Sequence, residues 1–266
     1  MTHHHGRTES DDPMLISTGR ARALLRDAPW QRYAVLGDSI ARGVGDASAG
    51  YREIGWADRV AEVLTSVNPE VRYLNTGRIG ATSDQMLAEQ LASVLEFRPD
   101  LVHISCGGND LFHPGGDIDR LRANLETAFS ALAATGAQLC AFTVADVWET
   151  ERMAPMRPMR PRMAELNEIV RDVAGRYDAV LVEFWDHPLR LRPDLMSADL
   201  IHFTTSGHAV VATEMIRALA ARIPAAAGST RRPAFLPPAT DGQTCPKDPL
   251  CRRERLRSAP GTSEEE

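Results

Sequence analysis

Apolar and polar residues alternate with two different spacings between about residues 32 and 223. Short apolar runs rich in β-branched residues predict buried strands at 33–36, 71–74, 101–104, 139–144 and 179–184. Longer stretches with a 3.6-residue period predict helices at 56–67, 83–96, 118–134, 162–176 and 206–222. Strands that are apolar on both faces and alternate with helices are typical of a parallel sheet covered on both sides. The pattern therefore predicts a three-layer α/β/α sandwich around a five-stranded parallel sheet.

The two ends of the chain lack this alternation. Residues 1–31 are interpreted as a polar leader whose first dozen residues are loose and which contains a short helix near 21–26. Residues 224–266 are rich in proline and arginine and have no apolar period, so they are predicted to form a disordered tail. The folded domain is accordingly expected to span residues 32–223.

Composition narrows the possible functions. The 266 residues include 30 Lys and Arg against 36 Asp and Glu, a net charge of −6 that argues against general binding of nucleic acid. No run of 18 apolar residues is present, so no membrane span is expected, and no secretory signal is recognisable. The four cysteines form neither a disulfide framework nor a zinc-ligand pattern, and Cys106 and Cys140 lie in apolar runs. These features favour a reducing, cytoplasmic setting.

Polar clusters follow the predicted strands. They are GDSI at 37–40, NTGRIG at 75–80, GGND at 107–110 and, ahead of the last helix, DLIH at 199–202. In such sheets, ligands bind beyond the carboxyl ends of the strands, so these clusters are expected at one edge. Together they supply a serine, a histidine, a carboxylate and several N–H donors, the groups needed for acyl transfer through a serine nucleophile.

The order of these motifs resembles that of the SGNH (GDSL-type) hydrolase family over about residues 32–222. GDSI differs from the more usual GDSL only in an apolar residue, and a lone Gly80, GGND and DxxH follow in the family's order. Each short motif recurs by chance, but all four in order form a specific signal. The resemblance implies a flavodoxin-like sandwich of the SGNH-hydrolase type and hydrolysis of carboxylic esters through an acyl-serine intermediate. It implies no metal or organic cofactor.

Three residues are predicted to perform proton transfer and nucleophilic attack. The resemblance implies that Ser39 is the nucleophile, and a serine hydroxyl needs a base within hydrogen-bond reach. DxxH identifies His202 as this base, and Asp199, three residues earlier, can hold its Nδ1–H. Alternatives are an N-cap role for Ser39 and a helix cap or solvated loop acid at Asp199.

Other histidines compete with His202 for the role of base: those at positions 3–5, His103, His113, His187 and His208. His103 is expected to be a hydrogen-bonded core residue, and His208 is expected to pack or cap.

The resemblance also implies an oxyanion hole. Its donors would be the backbone N–H groups of Ser39 and Gly80 and the side-chain amide of Asn109. Gly77 competes with Gly80, but Gly80 fits the family's Asn-x-x-x-x-Gly spacing from Asn75. The flanking Asp38 and Asp110 are expected to brace their loops.

The main hypothesis is thus an esterase acting on a small-molecule ester. The same site could instead transfer an acyl group to a sugar or natural-product alcohol. A dinucleotide-binding domain is disfavoured because the first turn lacks GxGxxG, and an inactive binding module is disfavoured because every required residue is present.

The Met-, Pro- and Arg-rich segment 153–163 is either an irregular connector or an adaptable lid over an apolar acyl chain. The sequence leaves the oligomeric state open.

Overall fold

The computed structural model describes residues 7–112 and 115–224, which contain a five-stranded parallel sheet. The strand order is β2-β1-β3-β4-β5, the order of flavodoxin-like sheets. The predicted sandwich is confirmed, and the observed strands lie within about two residues of the predicted ones. The strands are β1 (Arg32–Gly37), β2 (Arg72–Asn75), β3 (Leu101–Ser105), β4 (Gln138–Phe142) and β5 (Val180–Val182).

Helices cover the sheet in two groups that pack among themselves: α1, α3 and α9 in one, and α4, α5, α7 and α8 in the other. Thr82 caps α4 through a capping box with Gln85. The helices are α1 (Thr18–Leu24), α2 (Ser39–Arg42), α3 (Trp56–Val67), α4 (Ser83–Glu89), α5 (Leu91–Phe97), α6 (Gly108–Phe112), α7 (Ile118–Ala133), α8 (Arg160–Arg176) and α9 (Thr205–Ala220). Two 3₁₀ helices span Glu151–Met159 and Pro188–Leu191.

The single helix predicted over residues 83–96 is wrong, because the chain breaks it at Gln90. The side-chain amide of Gln90 donates to the carbonyl oxygen of Gly37 and accepts from its N–H, both at 2.8 Å. Strand β2 ends opposite Val35, and beyond it the N–H of Arg78 donates to the Gly37 carbonyl oxygen at 3.1 Å. Gln90 thus supplies an acceptor for the Gly37 N–H and a second donor to its carbonyl oxygen.

The leader is not loose throughout, contrary to the expectation for its first dozen residues. Glu9 forms an ion pair with Arg59 of α3 at 2.6 Å, and Asp12 forms one with Arg192 at 2.6 Å. The side chains of Asp12 and Arg192 are almost completely buried. Residues 7–12 are therefore held by the body of the domain, whereas residues 1–6 lie outside the described residues.

His103 corrects a second expectation. It lies fully buried in β3, against the rings of Trp56 and Phe142. Neither of its ring nitrogens has a hydrogen-bond partner among the described residues. Burial lowers the pKa of His103 to about 3, so the ring is neutral at physiological pH and serves as an aromatic core residue.

Cys106 and Cys140 are buried free thiols, as their apolar surroundings predicted. Within residues 7–112 and 115–224, no helix has the length and apolar character needed to cross a membrane. The predicted tail falls almost entirely outside the described residues, and the division at residues 31 and 223 stays a prediction.

Candidate active site

Ser39 lies where β1 turns sharply into the short helix α2. The turn begins at Gly37, whose φ of 141° favours glycine; a Cβ there would lie 1.8 Å from the carbonyl oxygen of Ser105. Asp38 caps α2 by accepting from the N–H of Ile40 at 2.9 Å. The first N–H groups of a helix have no acceptor within that helix, so the Ser39 N–H is available at this turn.

Ser39, His202 and Asp199 come together although 163 positions separate the first two. The Oγ of Ser39 lies 2.7 Å from Nε2 of His202, and Nδ1 of His202 lies 2.6 Å from Oδ2 of Asp199. A carboxylate only accepts hydrogen bonds, so Nδ1 carries the proton and Nε2 is left to accept from the serine hydroxyl. The arrangement joins a hydroxyl, a base and an orienting acid in one chain of hydrogen bonds.

Asp199 is fixed by more than its contact with His202. Its other oxygen accepts from the N–H groups of Ile201 and His202 at 2.9 and 3.1 Å. Burial raises the pKa of Asp199, but the hydrogen bonds from His202 and from these backbone groups outweigh it and hold the pKa below its usual range. The carboxylate therefore stays ionised at neutral pH.

Asp46 connects the loop after α2 to the loop that carries His202, and sequence reasoning missed it. Its carboxylate accepts from the N–H of Ala198 at 2.7 Å, and its own N–H donates to Oγ of Ser197 at 2.8 Å. Its carbonyl oxygen accepts from the N–H of Thr205 at the start of α9. The only local signal was its place in a Gly-rich turn, which does not reveal contacts with residues some 150 positions away.

Asn109, in the short helix α6, adjoins the loop that carries Gly80. The side-chain amide of Asn109 donates to the carbonyl oxygen of Ala81 at 3.0 Å, which fixes the Gly80 turn beside α6. Gly80 has a φ of 75°, which favours glycine, and a Cβ on it would meet nothing within 4 Å. By contrast, Gly77 already donates its N–H to Oδ1 of Asn75 at 2.9 Å.

The two flanking aspartates have different surroundings. Asp110 accepts from both the N–H and the hydroxyl of Ser83 and so braces the start of α4. Asp38 is 5% exposed, and burial raises its pKa to about 7. Its backbone hydrogen bond and the nearby His202 oppose this shift only in part.

The competing histidines within the described residues are engaged elsewhere. His187 accepts from the N–H of Leu189 and caps the 3₁₀ helix Pro188–Leu191. His208 is fully buried in α9, and its Nε2 lies 3.1 Å from the carbonyl oxygen of Val44, to which it donates. His113 and the histidines at 3–5 lie outside the described residues.

A cleft of about 90 Å³ adjoins Ser39 and Asn109. A larger groove of about 1020 Å³, between the leader and helices α3 and α9, is lined by residues such as Tyr51 and Arg59 and does not include Ser39. The smaller cleft is therefore the one relevant to chemistry at the serine. Its walls are mostly apolar and include Phe142, Trp148, Met153, Met163, Met196 and Phe203.

A profile of the GDSL-like lipase/acylhydrolase family matches residues 35–210, a range that contains Ser39, Gly80, Asn109, Asp199 and His202. The chain belongs to this family. The acylhydrolase is accordingly an SGNH-type carboxylic ester hydrolase, as the motif order predicted.

Similar proteins of known identity agree with this membership. An acetylxylan esterase from Geobacillus stearothermophilus is 26% identical over 205 residues, which cover 70% of this acylhydrolase and 93% of the relative. A crystal structure of an acetylxylan esterase from that organism has a TM-score of 0.58 at 23% identity, covering 71% of this chain and 94% of the other. The lipase/acylhydrolase from Enterococcus faecalis has a TM-score of 0.57 at 23% identity, and the match covers 73% of this chain and 97% of that one. The structural likenesses show the shared fold.

Proposed function

We propose that this acylhydrolase cleaves carboxylic esters with Ser39 as nucleophile, His202 as general base and then general acid, and Asp199 as the residue that orients the imidazole. The proposal rests above all on the 2.7 Å distance between Ser39 Oγ and His202 Nε2. A serine hydroxyl is a weak nucleophile at neutral pH, and this contact provides the base that it requires. The ionised Asp199 stabilises the imidazolium that forms during attack.

The reaction has two steps, acylation of Ser39 and hydrolysis of the acyl-serine, and His202 moves the proton in both. Ser39 Oγ bonds to the ester carbonyl carbon while its proton passes to His202 Nε2, and the carbonyl oxygen becomes an oxyanion. The bond to the alcohol then breaks, and the alcohol leaves with the proton from Nε2. A water molecule next attacks the acyl-serine with the help of His202, which releases the carboxylic acid and restores Ser39.

The proposed oxyanion hole consists of the backbone N–H groups of Ser39 and Gly80 and the amide of Asn109. The hydrogen bond from Asn109 to Ala81 supports this choice because it joins helix α6 to the loop that carries Gly80. Gly77 is disfavoured because its N–H already donates to Asn75. Each such donor typically contributes about 2.7–4 kcal/mol to transition-state stabilisation.

Hydrolysis is favoured over acyl transfer to a sugar or another alcohol. The side chain of Asp199 is 46% exposed and that of His202 is 12% exposed, so water reaches the acid that orients the imidazole. A transferase must keep water from the acyl-serine, and the exposure of Asp199 therefore favours water as the acceptor. The relative named an acetylxylan esterase makes small acetyl esters one of the substrate types to assay.

Replacement of the nucleophile tests the proposal. Ser39→Ala should lower kcat for p-nitrophenyl butyrate by at least about 10⁴-fold, because the acyl-enzyme can no longer form. Ser93→Ala is the matched control, since Ser93 lies exposed on α5, where its hydroxyl donates to the carbonyl oxygen of Gln90. Activity of Ser39→Ala near that of the control, with both variants folded by circular dichroism, would contradict the proposal.

A further inference from the structure

The His202 loop, residues 197–203, holds both the base and Asp199. Within it, the N–H of Ser197 donates to the carbonyl oxygen of His202 at 2.8 Å. Leu200, between these two functional side chains, has a φ of 61°, in the left-handed region that a residue with a side chain rarely adopts. Such a conformation persists where the surrounding structure enforces it, so the loop requires contacts from outside itself.

The segment that follows the nucleophile helix α2 contacts this loop. The N–H of Val44 donates to the carbonyl oxygen of Ser39 at 3.1 Å, which ties the start of the segment to the nucleophile. Gly45 packs so closely against the His202 loop that a Cβ on it would lie 1.7 Å from the carbonyl oxygen of Phe203. The chain therefore passes directly from the nucleophile to the loop that bears its base.

Asp46 makes hydrogen bonds between this segment and the His202 loop. Its carboxylate accepts from the N–H of Ala198, the residue before Asp199, at 2.7 Å, and its own N–H donates to Oγ of Ser197 at 2.8 Å. Asp46 is exposed, and substitutions of exposed residues usually change the free energy of unfolding little. The main consequence of these contacts is therefore the place at which the backbone presents Asp199.

That place decides whether the base reaches the nucleophile. Asp199 orients His202 through the 2.6 Å contact with Nδ1, and Nε2 must lie within hydrogen-bond reach of Ser39 Oγ. A displacement of about 1 Å in such an arrangement can cost about 10²-fold in rate. A contact outside the reacting groups can thus set the rate without touching the substrate.

We propose that Asp46 is a positioning residue, whose hydrogen bond to the His202 loop keeps the base within reach of Ser39. It touches none of the reacting atoms and acts through Ala198 and Asp199. The role needs an acceptor oxygen at this point and no negative charge, so an asparagine fulfils it and an alanine does not. The proposal rests on the proposed function of Ser39 and His202.

Substitutions of Asp46 test the proposal with p-nitrophenyl butyrate as substrate. Asp46→Ala should lower kcat by about 10- to 100-fold and change KM by less than about threefold, because the base is displaced and the walls that bind the substrate are not. Asp46→Asn keeps the acceptor and should stay within about threefold of the wild type in kcat. Each kcat is expressed per active site, counted with a fluorophosphonate that is allowed to react to completion, so a smaller folded fraction does not lower it.

Asp100→Ala is the matched control for a loss of structure alone. Asp100 also accepts from the N–H groups of two remote residues, Gln31 and Arg32. It precedes β3 and so lies at the end of the strands opposite Ser39. The variant should unfold at a lower temperature and keep kcat per active site within about twofold of the wild type.

Two outcomes of this comparison would overturn the positioning role. One is that Asp46→Ala loses no more kcat per active site than Asp100→Ala. The other is that Asp46→Asn loses as much as Asp46→Ala, because the acceptor oxygen would then have no effect.

Ser197→Ala keeps the test decisive if Asp46→Ala does not fold. It removes the acceptor of the Asp46 N–H from the side of the His202 loop, so kcat per active site should fall by at least about threefold. An unchanged kcat in that variant would then overturn the proposal. Hydrolysis that survives in Ser39→Ala would instead contradict the proposed function, whereas Ser39-dependent hydrolysis with a fully active Asp46→Ala would exclude only the positioning role.

Discussion

Asp38 and Ser39 are neighbours in the chain, yet their side chains meet very different conditions. The Ser39 hydroxyl has a base at 2.7 Å, whereas the Asp38 carboxyl is buried and accepts from the N–H of Ile40. Burial raises the pKa of Asp38 to about 7, far above its usual 3.8. The Asp38 carboxyl, which caps α2, therefore stays protonated at pH values where the same carboxyl in the unfolded chain has lost its proton.

This shift predicts a pH-dependent cost in stability. Between about pH 4 and pH 7 the unfolded state releases the Asp38 proton and the folded state keeps it, so the free energy of unfolding falls as the pH rises. Asp38→Asn is neutral throughout and can still accept from Ile40. Relative to the wild type, the variant should gain stability between pH 4 and pH 8, by at most about 4 kcal/mol. Urea unfolding at several pH values measures this, and a constant difference between the two proteins would contradict it.

At the scale of elements, Gln90 separates two helices and completes a strand. Its amide pairs with both backbone groups of Gly37, one residue before the cap of the nucleophile helix. Glutamine is a good helix former, so the apolar period of residues 83–96 contains no local sign of the break. The partner of Gln90 is distant in the chain, namely the backbone of Gly37, 53 positions earlier.

Removal of the Gln90 amide should destabilise the domain. Gln90→Leu leaves the N–H of Gly37 without this partner, whereas the Gly37 carbonyl oxygen still accepts from the N–H of Arg78. One buried polar group without a partner costs about 1–3 kcal/mol, and the free energy of unfolding should fall by about that amount in denaturant titrations. Glu96→Leu, at an exposed position of α5, is the control and should change it by less than about 0.5 kcal/mol. Equal effects of the two substitutions would show that the contact with Gly37 contributes nothing.

For the whole molecule, the leader is tied to the segment that precedes the His202 loop. Asp12 accepts from Arg192 and from the hydroxyl of Tyr51, both at 2.6 Å, within a buried cluster. Arg192 lies between β5 and α9, seven positions before Asp199. The leader therefore supports, from a distance, the part of the chain that presents the base and its orienting acid.

Loss of this ion pair should unfold or loosen the domain measurably. Asp12→Asn removes the closer of the two carboxylates that pair with Arg192, while Asp194 stays at 3.3 Å, so the expected loss is that of a hydrogen bond to a charged group, about 1.5–3 kcal/mol. Asp11→Asn is the matched control, because Asp11 is exposed and, among the described residues, accepts only from Thr8. Thermal unfolding of both variants measures the effect. An Asp12→Asn protein as stable as the control would contradict a supporting role for the leader.

The sequence predicted those features that depend on local pattern or on short motifs. Strand and helix alternation is encoded in the spacing of apolar residues, and the motifs around Ser39 and His202 follow one another in a recognisable order. Contacts between remote side chains leave no such trace. His103 is surrounded by the rings of Trp56 and Phe142, which its own strand does not reveal. Gln90 bonds to Gly37 and Asp12 to Arg192, and each of these partners is more than 50 positions away in the chain. The cleft likewise draws its walls from several loops, which only the folded chain brings together.

The central claim is that one hydroxyl, that of Ser39, forms the covalent intermediate with the help of His202. A fluorophosphonate that reacts with activated serines, followed by peptide mapping in a mass spectrometer, tests this most directly. The account predicts one label per chain, located on Ser39, and much slower labelling of His202→Ala. Labelling of a different serine, or none under conditions that label a known serine esterase, would contradict it.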